Sequence, residues 1–374
     1  MPTMQFSNER PAVWPIIKRY ITVFDVPLTL TLFLILSVSC FAMFSAGMDA
    51  PGRFEDHLRN TIIAFVVMWI AACVPPQLLM RFAVPLYTVG IALLVAVAMF
   101  GIVKKGARRW VNIGVIIQPS EIMKIAVPLM LAWFFQKREG ALRWHEFALA
   151  AVLLAIPAGL IMKQPDLGTA TLVMAAGFYV IFLAGLSWKI IFGVAIAGMA
   201  SLPVVWSMLH DYQRQRVMTL IDPTTDPLGK GFHIIQSMIA IGSGGIAGKG
   251  WRSGTQAHLE FIPERTSDFL FAVFSEEFGL IGNCVLVVLY LMLIARGLFI
   301  AANAPTVFSR LMAGAITMIF FTYAFVNMGM VSGILPVVGV PLPFMSYGGT
   351  AFVTLGLGMG ILMSIQRHRK LVQS

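Results

Sequence analysis

Three acidic residues stand at intervals of four before an apolar run: Glu260, Glu264 and Asp268. Asp268 directly precedes Phe269–Phe274, so we expect it where a membrane helix meets water. A carboxylate in that position can remove a proton from a substrate hydroxyl as a general base. Ser267 and Asp268 also occupy the positions of a helix N-cap, and capping alone explains the same residues.

A dense group of cations lies in KKGARRW, residues 104–110. Lys104, Arg108 and Arg109 stand beside Trp110, and such cations bind phosphate oxygens. The cluster therefore predicts a clamp for a phosphate or pyrophosphate at the membrane surface. An anchor for lipid headgroups is an alternative interpretation of the same residues.

Further charged residues lie at the ends of apolar runs or inside them. QPSEIMK places Glu121 and Lys124 three apart, on one helix face, with Lys124 already inside the run. A charge there must be paired or face a wet cavity, so a structural pair and a substrate-binding role are both open. In QPDLGTA, Asp166 is interpreted as a helix cap. Glu276 and Glu277 are intramembrane candidates, or they pair with Lys124 or a loop arginine.

The composition indicates which elements must position these residues. Of 374 residues, 58% are hydrophobic and 12% charged, roughly half the charged fraction of soluble domains. The apolar residues form long runs, which predicts an all-α polytopic membrane protein. The net charge of +10 sits in short clusters between these runs, as in membrane loops, so nucleic acid is a poor candidate partner. P-loop, GxSxG, HExxH and CxxC motifs are missing from the sequence, which argues against ATP, serine-hydrolase and zinc chemistry.

The apolar runs predict about ten transmembrane helices. Their approximate bounds are 26–46, 60–80, 82–103, 119–136, 145–162, 168–186, 189–209, 269–296, 308–330 and 348–365. They form a single membrane domain, 26–366, between a cytoplasmic leader, 1–25, and a cytoplasmic basic tail, 367–374. The long loop 210–267, between the seventh and eighth spans, is expected outside the cytoplasm. Its apolar stretch 233–242 is too short to span and is predicted to be re-entrant or interfacial.

Three loops have unusual compositions for their predicted places. Lys and Arg are divided equally between the two sides, so the positive-inside rule leaves the orientation open. The many cations in the outer loops 104–109 and 210–267 suit phosphate binding instead. The loop 331–346 has no charge and three prolines. It suits a lipid tail or a membrane partner, or it is a tightly packed turn between helices.

Five motifs occur in a fixed order: KGARRW, QPSEIMK, QPDLGTA, HLEFIPERTSDFLFAVFSEEFG and PLPFMSYGG. Together they resemble the SEDS family (shape, elongation, division and sporulation), and its rod-shape members more than its division members. The resemblance runs from about residue 25 to residue 366. Ser267 departs from the usual Thr and Thr266 from a frequent His, but hydroxyl groups remain beside the acid.

The resemblance implies an enzyme of the bacterial inner membrane with ten helices and a site facing the periplasm. Such enzymes polymerise lipid II into glycan strands of peptidoglycan during cell elongation. They work beside a class B penicillin-binding protein and other membrane proteins of the elongation complex. Asp268 matches the essential aspartate of the family, and Glu121, Lys124 and Glu260 match other functionally sensitive positions.

The implied reaction assigns a role to each group. The 4-hydroxyl of an acceptor sugar attacks the anomeric carbon of a donor with inversion and releases undecaprenyl pyrophosphate, while Asp268 accepts the proton. Cations, and a divalent ion such as Mg²⁺ or Mn²⁺ held by acids, would stabilise the leaving group. A lipid II flippase and a non-catalytic scaffold are the alternative functions. The predicted substrate-binding residues are Lys104, Arg108, Arg109, Trp110, Glu121, Lys124, Glu260, Glu264 and Arg265.

Overall fold

A computed structural model describes most of the chain. The described residues are 23–48, 50–104, 107–112, 116–140, 142–164, 166–209, 214, 218–219, 222, 230–255 and 264–372. Glu260 and nearly all of the predicted leader lie outside the described residues, as does the side chain of Lys104.

Long apolar helices make up most of the described chain. In order they are α1 (Val26–Ala46), α2 (Arg53–Cys73), α3 (Pro76–Phe100), α4 (Pro119–Lys137), α5 (Trp144–Met162), α6 (Leu167–Leu183), α7 (Trp188–Met208), α8 (Lys230–Ser243), α9 (Leu270–Ala302), α10 (Val307–Val331) and α11 (Gly349–Val372). Between α3 and α4 lies a small antiparallel sheet in the order β1 (Ile102–Lys104), β2 (Ala107–Asn112) and β3 (Ile116–Ile117).

The helices confirm a polytopic, all-α membrane protein. Within the described residues, seven helices are long and apolar enough to cross a membrane, namely α1, α2, α3, α5, α9, α10 and α11. Leu167–Leu183 and Trp188–Val204 are shorter apolar helices. Most residues of α4 are buried by its neighbours, so Lys124 within the span avoids lipid.

The predicted boundary between the second and third spans, near Arg81, is wrong. α2 ends at Cys73, and α3 begins at Pro76 with Pro75 as its N-cap. Proline lacks the amide hydrogen that would continue a helix but fits the first helical turn, so the helices separate at this pair. α2 starts at Arg53, before the predicted bound of 60, so the charged residues Arg53, Glu55, Asp56 and Arg59, expected in the loop between the first two spans, form its first turns.

Contacts between helix ends define one end of the bundle, called here the Asp268 end. The helices α4, α6, α9 and α11 all begin there, because hydrogen bonds join Gln118 to Asp166, Thr354 to Glu121 and Tyr347 to Thr266. α4 and α10 lie at the centre, α11 packs against α2, and α9 packs against α1. α8 lies in the predicted long loop and packs against α9 and α10. Nearly every described residue of α7 is exposed, so α7 contributes little to the core.

Candidate active site

Asp268 lies in a turn, residues 264–269, immediately before α9. The N-cap residue is Phe269, whose side chain makes no capping hydrogen bond. Neither Ser267 nor Asp268 therefore occupies the N-cap position expected from the sequence. Ser267 Oγ instead donates to Glu264 Oε2 at 2.9 Å, within the turn. The side chain of Asp268 is partly exposed.

The main chain around Asp268 is held by distant parts of the protein. Asn327, fully buried in α10, donates from Nδ2 to Asp268 O at 2.8 Å and to Val340 O at 2.7 Å. The amide of Tyr347 donates to Thr266 O at 2.9 Å. The turn is thereby fixed to α10 and to the loop before α11.

The proline-rich loop before α11 runs between Asp268 and the start of α6. A Cβ added to Gly339, which has a φ of +73°, would lie 3.3 Å from Asp268 Oδ2. A Cβ on Gly168 of α6 would lie 2.7 Å from Val338 O. A side chain at position 339 would thus be strained and would crowd the carboxylate.

Most of this loop is packed inside the protein. Val340, Leu342, Phe344, Met345 and Ser346 are each at most 4% exposed, whereas Ile334 is 71% exposed. Residues 340–346 therefore form the tightly packed turn that was one of the two interpretations of this loop. An apolar surface available to a partner is confined to the first part of the loop.

Asp166 caps α6 and joins three elements. Its Oδ1 accepts from the amide of Thr169 at 3.2 Å, and its Oδ2 accepts from Gln118 Nε2 at 3.2 Å. Arg109 Nε on β2 lies 3.7 Å from Asp166 Oδ2. The interpretation of Asp166 as a cap is confirmed, and the same carboxylate also positions Arg109.

The basic cluster forms a β-hairpin. Arg108 and Arg109 are neighbours on β2, and their side chains point to opposite faces of the strand. Arg108 is exposed and pairs across the hairpin with Val103, whereas Arg109 turns toward α6 and is partly buried. Trp110, also partly buried, pairs with Ile102. The hairpin therefore presents two separate cationic faces.

Glu121 and Lys124 form a buried ion pair at the start of α4. Lys124 Nζ donates to Glu121 Oε1 at 2.6 Å and to the hydroxyl of Tyr323 on α10. Thr354 of α11 donates to Glu121 Oε2 at 3.3 Å. The Lys124 side chain is 4% exposed and that of Glu121 13%. The structural pair is confirmed, and it connects α4 to α10 and α11.

The two intramembrane acids of α9 have partners other than Lys124. Glu276 Oε1 accepts from Lys249 Nζ at 2.7 Å and from the amide of Thr255 at 2.9 Å. Glu277 accepts from the hydroxyl of Ser45 on α1. These acids attach α9 to the chain segment after α8 and to α1. Their pairing with Lys124 is wrong, whereas Glu277 does interact with a loop arginine, Arg252.

The remaining predicted residues lie in the turn before α9 or outside the described residues. Arg265 is buried at 7% exposure, whereas Glu264 is exposed. Among the described residues, no three His, Cys, Asp or Glu side chains come close enough to hold a metal ion. Sequence reasoning missed Asn327 and Thr354. A polar Asn deep in an apolar helix was the signal that could have identified the first.

Comparisons with known proteins agree with this arrangement. The family of FtsW, RodA and SpoVE, described as "Cell cycle protein", matches residues 18–371. The chain belongs to the SEDS family. Peptidoglycan glycosyltransferase MrdB of Escherichia coli K12 is 51% identical over 351 residues, covering 93% of this chain and 95% of that protein. MrdB of Helicobacter pylori is 36% identical over 314 residues, covering 82% and 81%.

Solved structures of the family share the fold. A chain from a peptidoglycan synthase complex that coordinates polymerization and crosslinking is 32% identical with a TM-score of 0.81, covering 92% of this chain and 98% of that one. The rod shape determining protein RodA of Thermus thermophilus is 26% identical with a TM-score of 0.70, covering 92% and 97%. The expected resemblance to rod-shape members of the SEDS family is confirmed.

Proposed function

We propose that this chain polymerises lipid II into β-1,4 glycan strands, with Asp268 as the general base. The chain is a peptidoglycan glycosyltransferase of cell elongation, the class of its curated relatives. The observation that supports the catalytic role best is the placement of Asp268. Asn327 fixes its main chain, Phe269 takes the N-cap position, and a glycine faces its carboxylate.

The chemistry follows from this placement. The 4-hydroxyl of the acceptor sugar loses its proton to an oxygen of Asp268 as its own oxygen attacks the anomeric carbon of the donor. Attack from the face opposite the pyrophosphate inverts the α-linked donor to a β-1,4 bond. The bond between that carbon and the pyrophosphate oxygen breaks, so negative charge grows on the leaving group.

Cations near the Asp268 end would receive that charge. Arg108 is exposed, and Arg109 is held by Asp166 with a third of its side chain exposed. Arg109, which lies beside Asp166, is the proposed direct contact of the pyrophosphate, and Arg108, on the opposite face of β2, would attract the substrate to the hairpin. Lys124 and Arg265 are buried, so their contribution is the field they create and, for Lys124, the orientation of Glu121.

We also propose a divalent ion, Mg²⁺ or Mn²⁺, at this site. Mg²⁺ in phosphate sites uses one or two carboxylates and oxygens of the substrate, which does not require three protein acids. Glu264, exposed beside Asp268, is the described residue that would hold it. The ion would supply positive charge to the pyrophosphate.

The substitution Asp268→Asn tests the general base. An amide cannot accept the proton, so we expect polymerisation of labelled lipid II to fall about a hundredfold or more. The control is Asp56→Asn, at an exposed acid that pairs with Arg59 on α2. Near wild-type polymerisation by Asp268→Asn would move the catalytic assignment to another acid. Transbilayer movement of lipid II without polymer would favour the flippase.

The proposed partner is a class B penicillin-binding protein, together with other membrane proteins of the elongation complex. The similar chain from a synthase complex that couples polymerization to crosslinking supports this partner. Ile334, after the end of α10, and Phe325 of α10 are 71% and 54% exposed, and they are the proposed contacts of its membrane helix.

We propose the bacterial inner membrane as the location, with the leader 1–25 and the tail 367–374 in the cytoplasm. The membrane domain is then 26–366, and both the loop 210–267 and the Asp268 end face the periplasm. An even number of spans and the basic tail support this orientation. A reporter fused after Ser374 should be active only in the cytoplasm, and periplasmic activity would refute the topology.

A further inference from the structure

An apolar cleft lies between α1 and α9, on a different part of the bundle from the β-hairpin. It has a volume of about 490 Å³. Its walls are formed by Val38, Phe41, Trp251, Phe274, Phe278, Gly282 and Val285. From Phe274 to Val285 it follows α9 past the break at Gly279, away from the Asp268 end. A cleft with this direction and lining suits a chain that lies along the bilayer normal.

A glycine-rich segment, residues 244–254, is fixed against α9 beside this cleft. α9 is interrupted at Gly279, which has a φ of +63°. The amides of Lys249 and Gly250 donate to Glu276 O and Glu277 O, both at 3.0 Å, and the amide of Leu280 donates back to the segment. The segment is therefore part of the helix surface and holds Trp251 in place.

Arg252 places a cation beside this cleft, next to Trp251. Its φ of +62° is uncommon for a residue with a side chain and holds the guanidinium near the rings of Phe44 and Trp251, at 6.0 and 5.8 Å. Arg252 Nε donates to Met48 Sδ at 3.1 Å, just beyond the end of α1. Arg252 is exposed, and the carboxylate of Glu277 on α9 attracts its charge. A guanidinium has five N–H donors, so one that is exposed can also bind an anion above the apolar slot.

We propose that this cleft binds the acceptor lipid II, with its polyprenyl tail between α1 and α9 and its pyrophosphate on Arg252. The proposal rests on the proposed function. Each transfer joins two lipid-linked sugars. The donor pyrophosphate departs and gains charge, so it needs several cations, whereas the acceptor pyrophosphate stays esterified and needs an anchor.

The position of α9 explains why the acceptor, rather than the donor, belongs here. The general base must reach the acceptor hydroxyl, and α9 forms one wall of the cleft directly after Asp268. Phe274 follows Asp268 by six residues, at the start of the second turn of α9. Arg109 of the β-hairpin, beside α6, remains for the donor, with Arg108 on the opposite face of the same strand.

The test measures binding directly in the full-length Asp268→Asn protein, in nanodiscs of neutral phosphatidylcholine. The probe is lipid II with a photoreactive group in its tail. We expect crosslinks on peptides containing Phe41 and Phe278. Val285→Trp, which fills the cleft, should lower capture about tenfold. The control Val287→Trp lies on the opposite face of the same helix, at 39% exposure, and it should retain capture.

A second variant tests the headgroup. Arg252→Gln should weaken lipid II affinity about tenfold, the effect of a charge-assisted hydrogen bond. Arg143→Gln, an exposed position at the start of α5, should have no effect. With Asp268 intact, Arg252→Gln should raise KM for lipid II with little change in kcat, since the anchor binds ground and transition states alike.

Several results would overturn the proposal. Equal capture by the two tryptophan variants, or crosslinks only on other helices, would remove the cleft from substrate binding. Competition by phosphatidylglycerol at the same concentration would make it an ordinary site for anionic phospholipid. Displacement by free pyrophosphate alone would exclude a role for the tail. None of these results depends on turnover, so each is distinct from a failure of Asp268 as the base.

Discussion

Asn327 is the residue whose replacement most directly tests how the fold positions Asp268. It lies in α10, 59 residues from Asp268, and its Nδ2 is the donor to both Asp268 O and Val340 O. Asn327→Ala removes both hydrogen bonds and leaves the carboxylate itself unchanged. We expect a folded protein whose general base is displaced.

Asn327→Ala should affect the free energy of unfolding less than it affects kcat. Two hydrogen bonds to carbonyl groups contribute about 2 kcal/mol to the free energy of unfolding. Asn327 Oδ1 is buried without a hydrogen-bond partner among the described residues, so its removal returns part of that loss. The net destabilisation should be about 1–2 kcal/mol. A displacement of Asp268 by roughly 1 Å should lower kcat about a hundredfold, equal to about 2.7 kcal/mol of activation free energy.

The assay compares kcat for labelled lipid II with the thermal unfolding midpoint of the same purified protein. The control is Thr322→Ala, which also removes a buried hydrogen bond from α10, to the hydroxyl of Tyr179. Thr322→Ala should lower the unfolding midpoint and preserve kcat. If Asn327→Ala keeps kcat within about twofold, or if the control loses as much activity, Asn327 supports the helix and does not position the base.

Three further predictions concern the other parts of the proposed site. The double variant Arg108→Ala with Arg109→Ala should weaken lipid II binding by about one to a few kcal/mol per residue, and full affinity would make these residues headgroup anchors. Chelation by EDTA should lower polymerisation, with recovery on adding Mg²⁺ or Mn²⁺, and an unchanged rate would exclude the ion. A photocrosslinker at Ile334 should capture a class B penicillin-binding protein, whereas one at Val89 of α3, 54% exposed, should not; equal capture would count against this surface.

The helices could be predicted because the backbone N–H and C=O groups of an apolar run that crosses a bilayer have no water to bond. A helix satisfies these groups with hydrogen bonds inside the segment. The start of α2 was missed because a charged stretch resembles a loop. Glu55 and Asp56 lie in the first turn of α2, where the helix dipole favours acids. Charge alone therefore does not separate a loop from a helix N-terminus.

The arrangement of the cations could not be predicted from their spacing. KKGARRW is too short to show strand periodicity, and it was interpreted as one clamp. In the structure β2 pairs with β1 and β3, which sends Arg108 and Arg109 to opposite faces. Only the tertiary contact with Asp166, from the start of α6, distinguishes Arg109 from its neighbour.

The role of Asp268 could not be predicted from local sequence, because it depends on α9 having its N-cap at Phe269, one residue later than expected. Asp166 and Asp268 each precede an apolar helix at the same end of the bundle, and both match the pattern of a cap. Asp166 accepts from the Thr169 amide and pairs with Arg109, so its oxygens serve to hold α6 and the hairpin. At Asp268, α9 begins one residue later because Asn327 of α10 and Tyr347 of the loop before α11 fix the preceding turn. The long-range contacts, rather than the local pattern, thus separate the acid that caps a helix from the acid proposed to accept a proton.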